Sequence, residues 1–231
     1  MAAPAHAVAH GHDALHHHAA QQHHFESLDQ QHEASTLGMW FFLVQEVMFF
    51  GGLFTAYMVY RIWYPEAWAE GSRELDILLG GINTVVLIGS SLTMALAVRS
   101  AQVGSNKGAF RWTILTMILG LTFLVIKFFE YEHKFELNHV PGANFVFEGP
   151  HANQVEIFLS LYFAMTGLHA LHMIIGFGIL AWVAWLAHNE RFSREWSTPV
   201  EMTGLYWHFV DIVWIFLFPL LYLVDRAGQL G

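Results

Sequence analysis

An acid and an imidazole three residues apart, His208 and Asp211, interrupt the apolar run Tyr206–Leu223. At that spacing they share a helix face, where they could pass a proton, orient each other or tie two helices together. Ionisable side chains inside an apolar span are costly and generally face other helices or a cavity. Three further sets have the same character. Glu46 follows Gln45 in the middle of the run 35–60, His169 and His172 sit in GLHALHMIIGFG, and Lys127 and Glu130 end the run 112–131. A carboxyl at bilayer depth is desolvated, so Glu46 reads as a protonated hydrogen-bond donor or a proton relay. No continuous file of acids follows it, which favours the hydrogen bond. Lys127 and Glu130, three apart, can pair or extend to the interface.

The paired histidines admit metal or haem chemistry. A metal would need further ligands from elsewhere, and a b-type haem would need axial imidazoles on two helices, such as His169 or His172 with His208. Packing is the plainer job for all three. A transporter using Glu46 and Asp211 as coupling acids would carry inverted repeats and broken helices, which an odd number of spans does not suggest. Nine of the sixteen histidines lie in residues 1–33, a tract rich in Ala and Gln. It reads as a solvated, disordered tail able to bind copper, nickel or zinc loosely, and it lacks the basic region and apolar core of a signal peptide. The absence of cysteine removes disulfides, thiolate metal sites and cysteine nucleophiles.

These residues must be positioned by membrane helices. Of 231 residues, 55% are hydrophobic and 13% charged, and the apolar residues come in runs long enough to cross a bilayer. The fold class is all-α, a polytopic membrane protein with a bundle of five transmembrane helices. Residues 1–34 form the tail and 35–231 the membrane domain. The spans are expected at about 35–60, 76–98, 112–131, 154–187 and 206–223, the first capped by Ser35 or Thr36. Glu46 then lies roughly 15 Å into its span at 1.5 Å per residue, near the midplane. Trp63, Pro65 and Trp68 mark an interfacial connection, and Gly80, Gly81, Gly89, Gly167, Gly176 and Gly178 allow close helix approach. Five spans put the termini on opposite sides. The second loop holds Arg99, Lys107 and Arg111 without an acid, which places the N-terminus in the cytoplasm. A net charge of -9 with no basic patch argues against nucleic acid.

With the motifs placed, a family resemblance emerges. YWHFVDIVWIFLFPLLYL at 206–223 resembles the closing helix of subunit III of the haem-copper terminal oxidases. LVQEVMFFGGLFTAY at 43–57 is similar to the family's helix with a membrane-embedded glutamate. FLSLYFAMTGLHALHMIIG at 158–176 resembles its two-histidine helix, and FFEYEH at 128–133 its glutamate-tyrosine signature.

The resemblance implies an accessory subunit of a proton-pumping oxidase in a bacterial inner membrane. Subunit I would carry haems and copper, and subunit II a second copper or its quinol-oxidase equivalent. This chain would hold no haem or copper of its own. It would bind phospholipid, stabilise subunit I and support proton uptake. By the same resemblance Glu46, His208, Asp211, His169, His172, Glu130 and Tyr131 match the family's buried polar residues, and Trp40 and Phe41 join Glu46 at the lipid. The long family form has two more helices at its N-terminus, which wall the lipid cleft. A five-helix form also occurs, in which subunit I can supply them. Whether the donor is cytochrome c or quinol is decided in another subunit.

Overall fold

The computed structural model describes residues 21–142 and 145–224. Within them the chain forms six helices: α1 Leu28–Trp63, α2 Pro65–Arg73, α3 Ile77–Gln102, α4 Asn106–Glu136, α5 Ala152–His188 and α6 Thr198–Tyr222. All but α2 are long and apolar enough to cross a membrane, which makes this a multi-pass membrane protein. Residues 1–20 of the His-rich tail lie outside the described residues.

The first helix starts at Leu28, well before Ser35. Ser27 is the cap: its backbone is extended and its hydroxyl accepts from Gln30 N at 3.1 Å. The Gln30 side chain turns back to accept from Glu26 N at 2.7 Å, and Asp29 sits in the first turn, where a negative charge suits the helix dipole. Asp76 caps α3, one carboxylate oxygen accepting from Leu78 N at 2.8 Å and Leu79 N at 3.1 Å.

Helices α3, α4, α5 and α6 form the bundle proper. Helices α3 and α4 are an antiparallel hairpin and share the most extensive contact, and α6 packs between α3 and α5. Helix α1 is peripheral: it meets α2, α5 and α6, and only 11% of its apolar window is buried, against 50% for α6. At the bundle centre the Trp207 indole lies between Gly120 of α4 and Gly176 of α5. A Cβ on either glycine would stand 2.9 Å from that ring. Gly80 meets Phe218 and Tyr222 just as tightly, whereas Gly81 and Gly178 meet nothing within 4 Å among the described residues.

The connection after α1 is a short helix. Pro65 starts α2, where its missing N–H costs nothing, and the helix turns Trp68 inward against Tyr57, Tyr60 and Phe158. Trp68 is fully buried, while Trp63 stays exposed.

Candidate functional site

Glu46 and His172 meet between α1 and α5, His172 Nε2 to Glu46 Oε2 at 3.1 Å. His172 Nδ1 stands 2.9 Å from the Leu168 carbonyl, which only accepts, so Nδ1 carries a proton. The pair therefore shares one further proton, either on the carboxyl as a donor to a neutral imidazole or on the imidazole in an ion pair. The Tyr206 hydroxyl donates to the His172 carbonyl at 2.8 Å and closes the back of the site. Glu46 and His172 end a pocket of about 760 Å³ between α1, α5 and α6. Its walls are apolar and aromatic, including Met39, Phe42, Ile179 and Trp182, and its mouth is polar, with Gln31, Ser35 and Thr198. Among the described residues no Lys or Arg lines it. Trp40 and Phe41 point elsewhere, 57% and 69% exposed on the outer face of α1.

His169 and His172 do not work as a pair. His169 is enclosed by Phe123 of α4 and Trp214 of α6, at ring distances of 5.3 Å each, and among the described residues neither of its ring nitrogens has a hydrogen-bond partner. His208 and Asp211 do not pair either. Both turn to α3, where His208 Nδ1 bonds the Ser91 hydroxyl at 2.6 Å and Asp211 Oδ2 lies 3.4 Å from Ser90 Oγ. Ser90 also accepts from the Trp207 indole N–H at 3.1 Å. Ser90 and Ser91 thus tie α6 to α3 by hydrogen bonds.

Lys127 and Glu130 do pair, and they stay inside: each is 5% exposed. Lys127 Nζ donates to Glu130 Oε2 at 2.9 Å, to the Tyr162 hydroxyl at 3.0 Å and to the Tyr222 hydroxyl at 2.8 Å. The two phenols in turn donate to Glu130 Oε1 at 2.9 and 2.5 Å. The ammonium also lies 5.0–5.5 Å from the ring centres of Tyr131, Tyr162, Trp214 and Tyr222, within cation–π range. Every Lys127 proton and both Glu130 oxygens are used, which is the condition under which a buried ion pair is tolerated. Tyr131 is the outlier of the signature: its hydroxyl bonds Thr166 on α5 at 2.5 Å. The sequence gives no sign of the roles of Tyr162 and Tyr222, because the cluster draws on three helices.

Beyond the membrane end of α4, Lys134 hydrogen-bonds the Glu74 carbonyl. His139 lies 3.3 Å from the Glu74 carboxylate. Burial holds the His139 imidazole below the usual histidine range, outweighing the pull of Glu74 in the other direction. Among the described residues no group of three His, Asp or Glu side chains is placed to hold a metal ion.

The pattern of the cytochrome c oxidase subunit III family matches residues 7–225. The chain belongs to that family. It is 36% identical over 188 residues to cytochrome c oxidase subunit 3 of Synechocystis sp., covering 81% of this chain and 74% of the relative. It is 31% identical over 204 residues to the subunit 3 of Thermostichus vulcanus, covering 87% and 94%. Quinol oxidase subunit 3 of Bacillus subtilis is 32% identical over 193 residues, covering 83% and 88%. Family membership makes this chain an accessory subunit III of a haem-copper oxidase, part of a multi-subunit complex of the respiratory chain. The b-type cytochrome reading falls with it. The three intramembrane imidazoles also face different neighbours: the aromatic rings of α4 and α6, the carboxyl of α1 and a serine of α3.

Proposed function

We propose that this chain sits beside subunits I and II in a bacterial inner membrane, N-terminus in the cytoplasm, and holds phospholipid in the pocket between α1, α5 and α6. The pocket carries this reading. It is about 760 Å³, apolar along its walls and polar at its mouth, the profile of a site for an acyl chain whose headgroup stays at the interface. Glu46 and His172 at its inner end fasten α1 to α5 across the same space. A bound lipid that fills this space keeps water away from the pair and steadies the peripheral helix. Through that stiffness the subunit supports proton uptake and the lifetime of subunit I. Trp40 and Phe41 contact lipid outside the pocket, on the outer face of α1. The orientation is supported by the acid-free loop between α3 and α4.

The test is lipid analysis by mass spectrometry of the gently solubilised oxidase. Phospholipid retained with the wild-type complex, and reduced when Ile179→Trp fills the pocket, is the expected result. A complex that retains no phospholipid, or retains the same amount with the pocket filled, overturns the lipid assignment.

A further inference from the structure

Helix α2 and its C-cap present Glu66, Glu70 and Glu74 at intervals of four residues, and the connection between α4 and α5 reaches all three. Glu74 is taken by Lys134 of α4 and by His139 just beyond it, 3.7 and 3.3 Å from its carboxylate. Glu66 and Glu70 are both taken by His151, at the other end of the connection. Its Nδ1 stands 3.1 Å from Glu70 Oε1, and its Nε2 3.4 Å from Glu66 Oε2. His151 is also the N-cap residue of α5, yet its side chain makes no capping bond, and both ring nitrogens are turned to α2. Glu70 Oε2 is enclosed and has no hydrogen-bond partner among the described residues. A Cβ on Gly149 would stand 3.5 Å from it, so the turn before α5 lies over this carboxylate.

A carboxylate only accepts, and a neutral imidazole carries one N–H and one lone pair. A neutral His151 therefore donates to one of the two acids and turns its lone pair on the other. The doubly protonated ring donates to both and brings a charge opposite to theirs. The other charged groups at this end are placed differently. Lys134 and His139 hold Glu74, and His133 faces Glu136 along α4. Glu156 of α5 accepts from Gly142 N at 3.1 Å, and Glu148 is exposed in the connection itself. Arg73, three residues past Glu70, adds a cation on α2.

We propose that His151 is a proton-operated clamp: with both ring nitrogens protonated it pins the start of α5 to α2, and on losing one proton it lets the first turn of α5 fray. The change is local. Trp68 and Gly71 pack against Phe158 further along α5 in either state, so α2 keeps its place. A ring that needs its second proton to close the clamp contributes in acid and stops contributing as the pH rises past the ordinary histidine value of about 6.5. The far end of the connection answers in the opposite sense, because His139 is buried and acid forces a charge on it. The connection is thus held at both ends only between the two extremes. The clamp lies at the end of the bundle away from the lipid pocket, and it rests on neither the lipid nor the orientation proposed above.

The test is hydrogen–deuterium exchange of the intact purified oxidase at about pH 5 and about pH 8, on either side of the ordinary histidine value. The amides to follow are those of Gln154 and Val155, which bond the His151 carbonyl at 3.0 and 2.9 Å. After correction for the intrinsic rate, they should exchange several-fold faster at the higher pH in the wild type. His151→Gln, which takes up no proton, should exchange fast at both. Glu66→Gln should stay slow at both, because an amide accepts from the charged ring and donates to the neutral one. Equal protection of the wild type at the two pH values, or better protection at the higher one, overturns the clamp. So does a pH response that survives in either variant.

Discussion

Glu46 on α1 and His172 on α5 stand 3.1 Å apart with the imidazole tautomer set from behind by Leu168. Glu46→Gln keeps a donor facing His172 Nε2, so the oxidase should assemble and lose at most part of its turnover. Oxygen consumption by the purified complex checks this. Complete loss with unchanged haem spectra would show that the carboxyl is a required proton carrier rather than a fastening.

Lys127 and Glu130 set up a contrast between single and double substitutions. Lys127→Met leaves a carboxylate buried without its cation and should cost about 3–5 kcal/mol, whereas the double change Lys127→Met with Glu130→Leu should recover much of that loss. Intrinsic tryptophan fluorescence during thermal unfolding reads both, since Trp214 borders the ammonium. A double variant less stable than the single would mean that the phenol hydrogen bonds to Glu130 matter more than the charge.

Gly176 and Gly178 are two residues apart and should behave in opposite ways. A side chain at Gly176 runs into the Trp207 ring, and Gly178 meets nothing within 4 Å. Gly176→Val should destabilise by about 1–3 kcal/mol through overpacking. Gly178→Ala should be neutral or slightly stabilising, because alanine is the better helix former. Equal melting temperatures for the two variants would place the close contact elsewhere.

His139 predicts a pH dependence at the end of the molecule opposite the Glu46 pocket mouth. Its folded-state affinity for a proton is lowered by burial, so the unfolded segment takes up a proton first as pH falls. The stabilising contribution is intact above about pH 6.5, the ordinary histidine value, and declines as the pH drops through the lower folded value. Limited proteolysis of the loop between α4 and α5 should accelerate over that window, and His139→Gln should flatten the profile. Acceleration unchanged in the variant would assign the effect to another group.

The membrane spans were legible because long apolar runs bounded by Asp76, Pro141 and Pro199 leave few alternatives to helices crossing a bilayer. The early start of α1 was also written in the chain: Ser27 and Gln30 are a capping pair, but the polar residues between Gln30 and Ser35 mask the signal. The site was legible as a set of residues and not as a set of contacts. Residues three apart differ by about 60° around a helix. That suffices to send His169 towards α4 and α6 and His172 towards α1. Spacing along one helix says nothing of how the helix is rotated against its neighbours, so the serine partners of His208 and Asp211 had to come from the fold. The inward packing of Trp68 was hidden for a related reason, since the sequence does not show which way a short connecting helix turns its tryptophan.

The peripheral place of α1 also bears on how the molecule is made. The ribosome delivers this helix before its partners in the bundle, α5 and α6. Helix α1 therefore carries Glu46 with no imidazole to meet until His172 has followed it. Chains halted before position 172 should leave α1 open to chemical probes, and chains halted after α6 should protect it, so birth order and assembly order run in opposite directions.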